Sequence, residues 1–182
     1  MSNSMGQIER KSHILAIVTS AIMAALVTVA TYIIQIPVPQ TGGYINVGDA
    51  MIFAAALIFG PVVGGFAGGV GSAITDIALG YANFALVTLI VKGTEGVLAG
   101  FVSDGMSWLR DVIAVGVGGA AMVLGYFLVE FFVMGYGAAA FVEVPGNIFQ
   151  ITFGGLVGIP ISNVVRKYLP AISHIRQVSS PF

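Results

Sequence analysis

Lys92 sits near the middle of an apolar stretch that runs from about 84 to 103. Read as a helix, the stretch places Lys92 roughly nine residues from one end, or about 13 Å deep at about 1.5 Å per residue. Glu95, three residues on, and Thr88, four residues before, share its helix face. A charge at such depth costs several kcal/mol in lipid, so it is kept facing an interior where it meets a partner or a ligand. Two readings follow. Lys92 and Glu95 neutralise each other against the packing, or one or both reach a ligand in a polar cavity. The second is preferred, because a bundle without a ligand has little reason to hold both charges.

Other polar groups gather at similar depth. Asp76 lies about one turn from the outer end of the third apolar segment, and Glu130 holds the same position in the fifth, with Tyr126 four residues before it. Asn147 and Gln150 lie one turn apart at the start of the sixth, while Tyr81 and Asn83 mark the turn between the third and fourth. Singly, each reads as a helix cap or a solvated end. Together they make the outer half of segments three to six polar and leave the inner half nearly bare. A cavity open to the outside, with Lys92 near its floor, accounts for this bias, since convergent polar groups in an apolar pocket are how small-molecule sites are built.

The elements that position these residues follow from composition. Of 182 residues, 57% are hydrophobic and 8% are charged, and the mean hydropathy is +0.99. A soluble domain carries about 25% charged residues, so lipid is the main solvent here. The expectation is an all-α membrane protein, a single domain over 1–182 with six transmembrane helices at about 13–34, 49–59, 62–80, 84–103, 112–134 and 147–165. Gln35 to Gly48, with Pro37, Pro39, Gly42 and Gly43, and Gly135 to Gly146 read as loops. Arg10, Lys11, Arg110, Arg166, Lys167 and Arg176 fall on one side, which puts both termini in the cytoplasm. The opposite loops carry Asp49 and Glu143 and no basic residue. Gly64, Gly65, Gly68 and Gly69, with Gly96 and Gly100, form small-residue patterns that let helices approach closely. On the first helix, Ala21 and Ala25 belong to a smooth stripe that either packs inside the bundle or docks another membrane protein.

Several functions are excluded or weakened. The chain has no cysteine, hence no thiolate metal site, and no phosphate-binding loop of the Gly-x-x-x-x-Gly-Lys kind. His13 and His174 stand at opposite termini. No metal or other cofactor is expected. A membrane-embedded enzyme using Asp76, Lys92 and Glu95 lacks a nucleophile–base constellation, and a stand-alone carrier or channel lacks a polar path through the inner half.

The run Gly43-Tyr44-Ile45-Asn46-Val47-Gly48-Asp49, then Phe59-Gly60-Pro61, Gly69-Val70-Gly71-Ser72 with Asp76, Gly80-Tyr81, and Thr88 through Lys92, Gly93, Glu95 and Gly96 resembles the membrane S components of energy-coupling factor (ECF) vitamin transporters, in the riboflavin and hydroxymethylpyrimidine branch. The resemblance spans about residues 13 to 165. It implies a non-enzymatic subunit with six helices in a prokaryotic cell membrane. Such a subunit captures a vitamin or its precursor in the outer half of the bundle and works with a membrane coupling (T) subunit and two cytoplasmic ATPases. The family's small-residue docking motif falls on Ala21 and Ala25. On this reading Lys92 pairs with an anionic or acceptor group of the ligand, and Glu95 orients Lys92 or accepts from the ligand. Asn83, Tyr126, Asn147 and Gln150 hydrogen-bond a ring, and the loop Gln35 to Gly48 acts as a lid. No nucleic-acid partner is expected.

Overall fold

A computed structural model describes residues 2–169 and Arg176, with side chains from His13 onward. Six α-helices dominate it: α1 (Ser2–Ile33), α2 (Asp49–Phe59), α3 (Pro61–Leu79), α4 (Ala82–Val102), α5 (Trp108–Leu128) and α6 (Ala140–Tyr168). Among the described residues, five stretches, His13–Ile33, Pro61–Leu79, Ala82–Val102, Trp108–Val133 and Gly137–Tyr168, are long and apolar enough to cross a membrane. Large apolar side chains such as Ile17, Leu86, Phe132 and Leu156 are more than two-thirds exposed on the perimeter, as a lipid-facing surface requires.

The exception is α2. Its 11 residues make it about 16 Å long, roughly half the apolar thickness of a bilayer. Every residue except Met51 is buried, which is how a helix apolar on all sides behaves. α2 is the axis on which α1, α3, α4 and α6 pack. Because it is short, its first residue, Asp49, stands at mid-depth in the bundle and not in a loop. At the far end the Leu57 carbonyl has no partner within the helix. It accepts from Arg166 Nη2 at 2.8 Å and from Arg176 Nη1 at 2.7 Å. Arg166 also grips Asp111 through both oxygens, at 2.7 and 3.1 Å.

The glycine pattern is used where α3 meets α4. A Cβ on Gly96 would lie 2.2 Å from the Gly64 carbonyl oxygen, and one on Gly68 would lie 2.6 Å from the Lys92 carbonyl oxygen. Only glycine lets these backbones touch, and the second contact seats the turn of α4 that carries Lys92.

Several boundaries differ from the sequence expectation. Gln35 to Gly48 is not plain loop. It contains a hairpin of β1 (Gln35–Val38) and β2 (Gly43–Asn46), paired antiparallel with Pro37 opposite Tyr44. Pro37 is tolerated because a two-stranded sheet has only edges, and Gly42 makes the turn at φ +70°. The loop expected at Gly135 to Gly146 is shorter, since α6 begins at Ala140 and runs through Pro145. A proline this near the start forfeits one backbone bond, and Gly146 serves close approach: a Cβ there would meet Ile45 Cδ1 at 2.3 Å. The segments α1 and α5 begin earlier than expected, at Ser2 and Trp108, and α5 ends in a π-helical turn, Val129–Val133, that carries Glu130.

Candidate functional site

The site lies at the hairpin end of the bundle, and its base is a buried charge cluster. Lys92 Nζ donates to Asp49 Oδ1 and lies 3.4 Å from Glu95 Oε2. Lys92 is 2% exposed, and both acids are fully buried. The ammonium also sits 5.8 Å from the centre of the Tyr126 ring, within cation–π range. Three helices therefore contribute: α4 carries the cation and Glu95, α2 brings Asp49 on its first turn, and α5 brings Tyr126. Two carboxylates face one ammonium, so this cluster has no cationic charge to spare.

Above the cluster is a cavity of about 30 Å³. It is lined by Gly43, Tyr44 and Asn46 of the hairpin, Ser72 and Asp76 of α3, Phe84, Thr88 and Lys92 of α4, Tyr126 of α5, and Glu143, Asn147 and Gln150 of α6. The Tyr126 hydroxyl donates to Thr88 Oγ1 at 3.1 Å. Gln150 Nε2 donates to Asn147 Oδ1 at 2.8 Å, and its Oε1 accepts from the Asn46 backbone N–H at 3.0 Å. Room for a few waters is all such a volume gives, so anything larger enters only when the lining moves.

The hairpin is the part that closes this space. Tyr44 donates to Asp76 Oδ1 at 2.6 Å. Thr41 donates to Glu143 Oε1, and the Gly43 backbone N–H donates to Thr41 Oγ1 at 3.2 Å. Tyr44 also packs against Tyr81 with ring centres 4.6 Å apart. Burial, with the Asp76 carboxylate beside it, pushes the Tyr44 phenol well above its ordinary value, so it acts as a donor. The Thr88 hydroxyl also lies within hydrogen-bonding reach of the Asp76 carboxyl.

Six of the ten residues expected to bind ligand line the cavity together: Asp76, Thr88, Lys92, Tyr126, Asn147 and Gln150. Glu95 lies beneath it as a partner of Lys92. Tyr81 is half-buried behind Tyr44, and Asn83 is exposed on the first turn of α4, away from the cavity. Glu130 is fully buried but faces Glu143 one layer away. Sequence reasoning overlooked Asp49 as the partner of Lys92, and Tyr44, Asn46 and Glu143 as lining. The shortness of the segment from Asp49 to Phe59 was the available signal for the first; nothing in the sequence marked Glu143 as inward-facing once Pro145 suggested a loop.

A second feature lies on α1. Ala21 and Ala25 are exposed, Ala24 is buried, and with Phe66, Val70 and Ile74 of α3 they border an apolar groove of about 460 Å³. The Thr28 hydroxyl donates to the Gly71 carbonyl at 2.9 Å, which fastens α1 to α3 beneath it.

With this geometry in place, comparison with known proteins is informative. A family model described as the S component of the ECF-type riboflavin transporter matches residues 11–167. A protein of Pyrococcus woesei described as uncharacterized is 44% identical over 147 residues, covering 80% of this chain and 98% of its own length. A thiamine precursor transporter, HmpT, of Lactococcus lactis is 28% identical over 151 residues, covering 81% of this chain and 85% of its own length.

Proposed function

The chain belongs to the family of ECF-type riboflavin transporter S components, multi-pass membrane subunits that bind substrate and are not enzymes, and on that premise we propose that it captures a vitamin or vitamin precursor with high affinity for ATP-driven uptake by partner subunits. The observation that carries this is the lidded polar cavity beneath the hairpin, with Lys92 held between Asp49 and Glu95 at its base. The reading places the hairpin end outside a prokaryotic cell and both termini in the cytoplasm, in keeping with the basic residues at the opposite end.

Capture and energy supply are separate tasks here. The chain carries no phosphate-binding loop, so ATP is handled by two cytoplasmic ATPases joined through a membrane coupling subunit. The groove bordered by Ala21 and Ala25 is the docking face for that subunit: its small side chains let a partner helix approach closely. The ligand is met by the Asn147–Gln150 pair, Thr88 and Tyr126, with Asp76 and Glu143 linking it to the hairpin lid.

Two measurements test this. Titration of the detergent-purified chain with riboflavin and with thiamine precursors should find one ligand that binds more tightly than about 1 μM, or about 8 kcal/mol. Liposomes holding the chain alone should take up none of it, and uptake should begin when the coupling subunit and ATPases are added with ATP. Uptake by the chain alone would instead favour a stand-alone carrier.

A further inference from the structure

We propose that closure of the hairpin takes up one small cation, a proton or an alkali metal ion, between the carboxyl groups of Glu130 and Glu143. This second site lies beside the cavity, and its occupancy sets how firmly the lid is held whatever ligand lies beneath it.

Charge balance is the first support. Glu130 is fully buried and Glu143 is 6% exposed, and both belong to stretches apolar enough to span a membrane. The Glu143 carboxyl lies within hydrogen-bonding reach of the Glu130 carboxyl. Neither Glu130 oxygen meets an N–H or O–H donor, and the described ion pairs use neither acid. Two carboxylates are acceptors only, so they form no hydrogen bond with each other, and their repulsion is strongest in low dielectric. Buried charges are paired or hold metal ions. One cation resolves both difficulties: a proton turns one carboxyl into a donor, and a metal ion is ligated by both. The ionisable groups on the neighbouring elements are engaged elsewhere. Tyr44 of the hairpin donates to Asp76 of α3, Tyr126 of α5 donates to Thr88 of α4, and Lys92 of α4 is held by Asp49 and Glu95. Tyr136, beyond the π-helical turn, packs on Phe84 with ring centres 6.3 Å apart.

The second support is the connection to the hairpin. Glu143 Oε1 accepts from the Thr41 hydroxyl, and a Cβ on Gly43 would lie 2.5 Å from the same oxygen. The hairpin therefore lies flat only where Glu143 stays in place. Glu130 is the fixed partner, because its π-helical turn is tied down by the Tyr136 N–H, which donates to the Glu130 carbonyl at 3.0 Å. Without the cation, repulsion drives Glu143 away from Glu130 and out from under Thr41, and the hairpin lifts.

The test uses the full chain in detergent, with nitroxide labels on Gln40→Cys in the hairpin turn and Asn83→Cys on α4. Both positions are exposed, and the chain has no cysteine of its own. Spin–spin distances report the open and closed populations as pH is varied, and as sodium is exchanged for N-methylglucamine at fixed pH. One cation per closure predicts a closed-to-open ratio that changes by up to about tenfold per pH unit or per decade of sodium. A fall in closure with rising pH at constant sodium identifies the proton; a rise with sodium at constant pH identifies the metal ion. Glu130→Gln gives Glu143 a permanent N–H donor, so its hairpin should stay closed and lose the response, and Glu143→Gln should lose it too. Both variants are near-isosteric, and thermal melting checks that they fold; if one does not, the other decides. A hairpin that responds to neither cation overturns the proposal, as does a response that survives in either folded variant.

Discussion

Lys92 of α4 reaches Asp49, the first residue of α2, although 43 positions separate them in the chain. The contact exists because α2 is half the length of a span, so its N-terminus ends beside the middle of α4. Glu95 holds the ammonium from the other side at 3.4 Å. This relationship ties the axis of the bundle to the floor of the cavity.

Breaking one partner of a buried ion pair costs about 3–5 kcal/mol, because the other is left uncompensated. Lys92→Met and Asp49→Asn should each destabilise the protein on that scale in detergent unfolding. The double variant should lose clearly less than the two single losses added together. Additive losses would mean that the pair does not form. In the same vein, Lys92→Ala should weaken ligand binding tenfold or more, and wild-type affinity in that variant would remove Lys92 from the site.

The hairpin latch makes a kinetic prediction. Tyr44→Phe removes the donor that ties the hairpin to the buried Asp76 carboxylate, a loss of about 1–3 kcal/mol. Stopped-flow dissociation should speed up by roughly tenfold, in line with about 1.4 kcal/mol per decade. An unchanged off-rate would show that the hairpin does not hold the ligand in.

Helix packing gives a contrast between two glycines. Gly96→Ala drives a methyl into the Gly64 backbone, and overpacking of this kind costs about 1–3 kcal/mol or more. Gly116 on α5 has nothing within 4 Å of where a Cβ would stand, so Gly116→Ala should be neutral or stabilise by about 0.5–1 kcal/mol. Thermal melting in one detergent separates the two. Similar melting of both variants would contradict the close α3–α4 contact.

Docking on α1 should be separable from binding. Ala21→Leu with Ala25→Leu fills the groove without touching the cavity, so ligand affinity should stay within about twofold while co-purification with the coupling subunit is lost. Retained assembly would place the docking face elsewhere.

Much of this was legible beforehand, and the failures have physical causes. Lys92, Thr88 and Glu95 were readable as one face because helical spacing is rigid. Asp76, Tyr126, Asn147 and Gln150 were readable because polar groups at membrane depth are costly and converge. The second helix was legible at Asp49–Phe59, but Asp49 was grouped with the outer loops and its pairing with Lys92 was missed, because helical spacing does not show how deep a half-length helix begins. The start of α6 was misplaced because Pro145-Gly146 reads as a breaker, while the fold uses that glycine to admit Ile45. Asn83 was credited with a role by its position alone, and a one-residue step on the helix turns it outward beside buried Phe84. The hairpin was hidden because four-residue strands containing proline carry little periodic signal.

The most direct test of small-molecule capture is to purify the chain in mild detergent, denature it, and weigh what it releases by mass spectrometry. The account predicts one heterocycle at close to one copy per chain, absent from Lys92→Ala and retained in the Ala21→Leu, Ala25→Leu variant. An extract from wild-type protein with no small molecule, in a preparation that also fails to bind any added vitamin, would contradict it.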